Sequence, residues 1–185
     1  SFLVNYPFAN RLFPGSLDVL ARFRAWGPTV ILSDGDVVFQ PRKVERSGIF
    51  EAVAGHVLIY IHKERALADV ERRYPAAHYV LVDDKPGILA AVKRAWGHRV
   101  TTVLPRQGRY ARDPTVGREG PPADLTVACI GDLLHYDLPA LLGNQREAGA
   151  QQRLQGEADL LGVAARLRPL GLVLLQHEQT LLADP

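Results

Sequence analysis

The chain has 185 residues, enough for one well-packed domain with an extension. Its 47% hydrophobic and 23% charged content is that of an ordinary globular protein, and no run of about 18 apolar residues exists to span a membrane. A net charge of +2 and a pI near 8.8 are too mild to argue for nucleic acid.

Residues 1–13 mix aromatics with Pro7 and read as an irregular lead-in, without the basic start of a secretory signal. Met is absent throughout, so either an initiator Met preceded Ser1 or the chain lacks its true beginning. Pro14-Gly15-Ser16 is a turn with Ser16 as N-cap, and LDVLARFRAWG follows at helical spacing up to Gly27. TVIL (29–32) reads as a buried strand running into the polar loop Ser33-Asp34-Gly35-Asp36. Arg42, Lys43 and Arg46 follow, then a short amphipathic piece over 49–54.

HVLIYI (56–61) is a second apolar strand, ending at His62 and Lys63, and 64–74 is helical. YVLV (79–82) is a third strand, stopping at Asp83 and Asp84. Lys85-Pro86-Gly87 turns the chain into a helix over 88–94. RVTTVL (99–104) is a fourth strand, followed by Arg106, Arg109 and Arg112. A Pro- and Gly-rich loop leads to LTVACI (125–130), where the single Cys129 excludes an intrachain disulfide and fits a reducing, cytoplasmic setting. Cys129 itself reads as a small buried hydrophobe. Residues 132–142 contain a short helix. In the tail, residues 146–167 read as one or two helices, and GLVLLQ as a short strand or helix.

Near-continuous apolar strands alternating with helices predict an α/β fold, a parallel sheet covered on both faces. In such a sheet the strand ends face one edge, where open α/β sheets hold ligands. Ser33, Lys63 and the pair Asp83-Asp84 would converge there, at the ends of adjoining strands. The carboxylates suit a hard cation such as magnesium, the ammonium offsets phosphate charge, and the hydroxyl donates to a phosphoryl oxygen. The bland reading of each residue is a solvated turn.

The order of Ser33, Lys63 and Asp83-Asp84, each after an apolar strand, resembles motifs II, III and IV of the haloacid dehalogenase-like (HAD) hydrolase superfamily. The entry PGSLDVLARFRAWGPTVILSDGD is similar to that family's helix–strand segment after its cap. The resemblance covers about residues 14–142. It implies a three-layer, Rossmann-like core over 14–143, lacking its first strand and most of its cap. Residues 1–13 would be a lead-in or cap remnant, and 144–185 a helical C-terminal extension. It further implies magnesium-dependent phosphatase chemistry on a phosphorylated small molecule. Ser33 and Lys63 would be catalytic, Asp83 and Asp84 metal-holding, and Asp34, Gly35, Arg42 and Lys43 on the substrate side.

The family's nucleophile is the first Asp of an Asp-x-Asp on the first strand, upstream of the cap, and residues 1–13 contain no Asp. Asp34-Gly35-Asp36 has that form, but a Ser- or Thr-ended strand would then have to lie between residue 36 and Lys63, and HVLIYI ends in His-Lys. The nucleophile is therefore unassigned, and the expectation is a truncated or remnant hydrolase of low activity. The competing reading is a non-catalytic module binding a phosphate ligand or, less favoured, nucleic acid. A receiver domain is disfavoured because its acidic pair comes first and its Lys last. The absence of Gly-x-Gly-x-x-Gly disfavours a dinucleotide fold, and the scattered histidines, His78 among them, disfavour zinc.

Overall fold

The computed structural model describes residues 12–34, 46–60, 67–108, 110, 120–142 and 171–176, with residue 34 and 171–176 as backbone strand. After the Pro14-Gly15 turn comes α1 (Ser16–Arg24). Its cap is Gly15 at φ 79°, and Ser16, expected as N-cap, is instead the buried first helical residue. Backbone packing explains the change: a Cβ at Gly15 would lie 2.9 Å from Gly131 Cα, so only glycine admits this approach.

β1 (Thr29–Asp34) runs two residues beyond TVIL, because Ser33 and Asp34 pair with Ile59 and Tyr60 of β2 (Val57–Tyr60). Between them lies α2 (Ile49–Ala52). α3 (Leu67–Arg73) precedes β3 (Tyr79–Val82), and α4 (Pro86–Trp96) follows it. α4 starts two residues before the predicted helix because Pro is well suited to the first helical turn. A 3-10 turn, Gly97–Arg99, then enters β4 (Val100–Pro105).

β5 (Leu125–Val127) is only half of the predicted LTVACI strand. Asp132 ends it by accepting from the backbone N–H of Ala128 at 2.9 Å and Cys129 at 3.0 Å. Cys129 is half-buried rather than a core hydrophobe, with Sγ 3.3 Å from Asp132 Oδ1. A 3-10 helix, Ile130–His135, and α5 (Leu138–Leu141) close this part of the chain. GLVLLQ, open between strand and helix on sequence, is β6 (Gly171–Gln176). The rest of 144–185 lies outside the described residues.

The six strands among the described residues form one parallel sheet in the order β2-β1-β6-β3-β4-β5. Each apolar run divides between two cores by the period of two. Ile31, Val80 and Val82 pack with α1 and the 130–135 turn through Val19, Leu20, Phe23, Ile130 and Leu133. Val30, Leu32, Tyr79 and Leu81 face Leu67, Val70, Leu89, Val92 and Trp96 of α3 and α4. Burial on both faces is why these strands read as continuous rather than alternating runs.

Trp96 stacks on Tyr79 with ring centroids 4.3 Å apart, and Tyr79 Oη donates to the Tyr74 carbonyl at 3.0 Å. Burying side chains of this size contributes roughly 1.5–3 kcal/mol each, which anchors α4 to β3. Trp26 is only partly buried, between Phe23 and the Arg22 guanidinium. No helix among the described residues is long and apolar enough to cross a membrane.

Candidate functional site at the carboxyl edge of the sheet

All strands being parallel, β1, β3 and β6 present their carboxyl ends along one edge. Ser33 is 3% exposed there, and Asp83 and Asp84 are fully buried. β3 stops at Val82 because the next two residues are carboxylates, which neither core can accept uncompensated. Asp83 N–H still donates to the Val103 carbonyl at 3.2 Å, holding the turn to β4. Its Oδ1 accepts from the Lys85 N–H at 2.8 Å, an Asx turn that launches α4. Lys85 reaches across the edge, its Nζ 4.9 Å over the Tyr110 ring. Among the described residues, a Cβ at Gly87 would meet nothing within 4 Å.

Asp34 is the last residue of β1 and is level with Tyr60 of β2. Tyr60 donates its hydroxyl to Asp69 of α3. Burial first, and the Asp69 carboxylate second, push the Tyr60 phenol up to about 12. Asp69 is held below the ordinary carboxylate value chiefly by that hydroxyl, with Arg72 and Arg73 beside it. Tyr60 is therefore a neutral donor at physiological pH and ties β2 to α3.

Of the residues singled out on sequence, Ser33, Asp83 and Asp84 reach the same edge. Lys63, Gly35, Arg42 and Lys43 lie outside the described residues. The strands of Ser33 and the acidic pair are not neighbours, contrary to the expectation. β6 lies between them, so at a strand spacing of about 4.8 Å the two ends are roughly 10 Å apart. Pairing of segments so distant in the chain leaves no local signature, which is why the sequence hides it. β6, whose last residue Gln176 is the register partner of Ser33, was left open between strand and helix on sequence. Its signal was an apolar run, GLVLL, ending in a polar residue like the other strands.

A second polar cluster also escaped notice, away from the carboxyl edge. Asp124 accepts from Lys93 Nζ at 2.7 Å, Thr102 N–H at 2.8 Å and Thr102 Oγ1 at 2.9 Å. Burial alone would raise the Asp124 carboxyl, but these donors hold it below the usual value. The cluster links α4, β4 and the entry to β5.

Among the described residues no group of three or more His, Cys, Asp or Glu side chains could hold a metal. Two carboxylates nevertheless fit magnesium, which keeps several waters and takes one or two acids plus a ligand phosphate. Adjacent buried acids also call for a nearby cation, proton or ammonium. The donor set thus fits a hard cation better than zinc or another soft metal.

A solved structure from Burkholderia xenovorans LB400, assigned as a haloacid dehalogenase-like hydrolase, is 62% identical to this chain with a TM-score of 0.73. The match covers 76% of this chain and 64% of that one, so the chain spans less than two thirds of its relative. No protein-family model and no curated protein matches.

Proposed function

Since the chain belongs to the haloacid dehalogenase-like superfamily, we propose that its carboxyl edge binds a phosphorylated small molecule with magnesium at Asp83 and Asp84. The observation that carries this is the pair of fully buried carboxylates facing the same edge as the buried Ser33 hydroxyl. Ser33 Oγ would donate to a phosphoryl oxygen, and the Lys63 ammonium would offset phosphate charge. Asp34, Gly35, Arg42 and Lys43 would border the rest of the ligand. Magnesium, when bound, supplies charge neutralisation to the phosphoryl group.

Hydrolysis of a phosphoester by this chain is expected to be slow. Covalent transfer needs an activated nucleophile, and the strand between Ser33 and the acids ends in an amide, Gln176. The same observation favours, as a second reading, a site that binds phosphate ligands without turning them over.

The test is calorimetric titration of magnesium into the purified chain, with and without inorganic phosphate. Asp84→Asn should weaken magnesium binding about tenfold or more, while the far-ultraviolet dichroism stays unchanged. Equal affinity in wild type and variant refutes the metal assignment. Rapid magnesium-dependent phosphatase turnover that Asp83→Asn abolishes refutes the expectation of slow hydrolysis.

A further inference from the structure

Lys85 breaks a local rule. It is the N-cap residue of α4, where a hydroxyl or carboxylate side chain is favoured and a cation opposes the helix dipole. Its side chain makes no capping hydrogen bond. The backbone builds the turn instead: Lys85 N–H donates to Asp83 Oδ1 at 2.8 Å, and the Lys85 carbonyl accepts from Ile88 N–H at 3.1 Å. A residue that works against its own element is expected where function requires it.

The ammonium lies 4.9 Å from the centre of the Tyr110 ring, at cation–π distance, and both residues are half-buried. Tyr110 belongs to the chain that leaves β4, the neighbour of β3 in the sheet. The start of that segment is pinned. Arg106 N–H donates to the Val127 carbonyl at 2.8 Å, and the buried Gln107 accepts from Ile130 N–H at 2.8 Å. The ammonium is thus held between the chain leaving β3 and the chain leaving β4, on the carboxyl side of the sheet. One Cα step of about 3.8 Å and a lysine stem of roughly 6 Å keep it within about 10 Å of the Asp84 Cα.

We propose that Lys85 is a ligand-contacting residue of this edge, its Nζ–H donating to a phosphoryl oxygen, and that Tyr110 is a positioning residue that holds the ammonium there. This rests on the phosphate-binding reading above and deepens it. A cation beside two carboxylates has two opposite effects. It attracts an anionic phosphoryl group, and it weakens the hold of the acids on magnesium. Lys85 therefore biases the edge toward phosphate and away from the bare metal ion.

The test uses Lys85→Gln, Lys85→Arg, Tyr110→Phe and Tyr110→Leu in the full chain. Calorimetry follows magnesium binding without phosphate, and inorganic phosphate binding at saturating magnesium. Lys85→Gln should lower phosphate affinity about tenfold or more while raising magnesium affinity about two- to fivefold. Lys85→Arg keeps the charge and the attraction to an aromatic face, so phosphate affinity should stay within about threefold of wild type. Tyr110→Leu should weaken phosphate binding about two- to fivefold, whereas Tyr110→Phe, which keeps the ring, should not.

Unchanged phosphate affinity in Lys85→Gln overturns the proposal and leaves the phosphate-binding reading standing. A parallel loss of both affinities in Lys85→Gln also overturns it, because Lys85 then acts only through the fold. Equal losses in Tyr110→Phe and Tyr110→Leu remove the ring from its positioning role. If wild type itself binds magnesium but no phosphate, the phosphate-binding reading fails first and takes this inference with it.

Discussion

His78 stands immediately before β3, is 4% exposed, and sets Nε2 2.9 Å from Thr101 Oγ1. Burial, reinforced by the Lys93 ammonium, pushes its pKa from 6.5 down to about 4. Between those values the unfolded chain binds more protons than the folded one, so stability falls as pH drops from 6.5 to 4. It falls no further from this residue below that window. The whole effect is at most about 3 kcal/mol. Urea unfolding at pH 7 and pH 4.5 should show this loss in wild type and a smaller one in His78→Gln. Equal losses would show that His78 carries none of it. On sequence His78 was one scattered histidine among six, since burial of a single polar residue has no periodic signature. Asp83 and Asp84 were legible because two acids interrupt an apolar strand. What each acid does was not: Asp83 also forms the Asx turn that starts α4.

At the scale of elements, runs such as YVLV and TVIL predicted strands because each is covered on both faces. Element ends were less legible, since partners set them. Ladder pairing to β2 and β6 extends β1 through Asp34, and the Asp132 carboxylate cuts β5 short. The contact between α4, β4 and β5 depends on the Asp124 cluster. Asp124→Ala leaves the Lys93 ammonium, 23% exposed, with the Val100 carbonyl at 2.8 Å as its remaining named partner. It also leaves the Thr102 N–H without its acceptor. A loss of about 2–3 kcal/mol is expected in chemical denaturation. A change below about 0.5 kcal/mol, the size of an ordinary surface substitution, would show the cluster to be ornamental.

For the whole molecule, β6 is the strand that joins the sheet's two parts. β1 and β2 form one ladder, and β3, β4 and β5 another. β6 connects them through five register pairs with β1 and three with β3. Deleting residues 171–185 would open two interior edges with exposed backbone donors and acceptors. The shortened chain should therefore aggregate or lose cooperative thermal unfolding, followed by size-exclusion chromatography and dichroism. A monomeric, cooperatively folding product would show that the two parts close on each other without β6. The sequence by itself determined the α/β class, most strands and the acidic pair, because strand burial and a broken apolar run are written locally. Only the tertiary structure decided that the last described strand enters the middle of the sheet, between the strands that lead to Ser33 and to the acidic pair. Strand order comes from pairing between distant segments, and no local pattern of side chains records it.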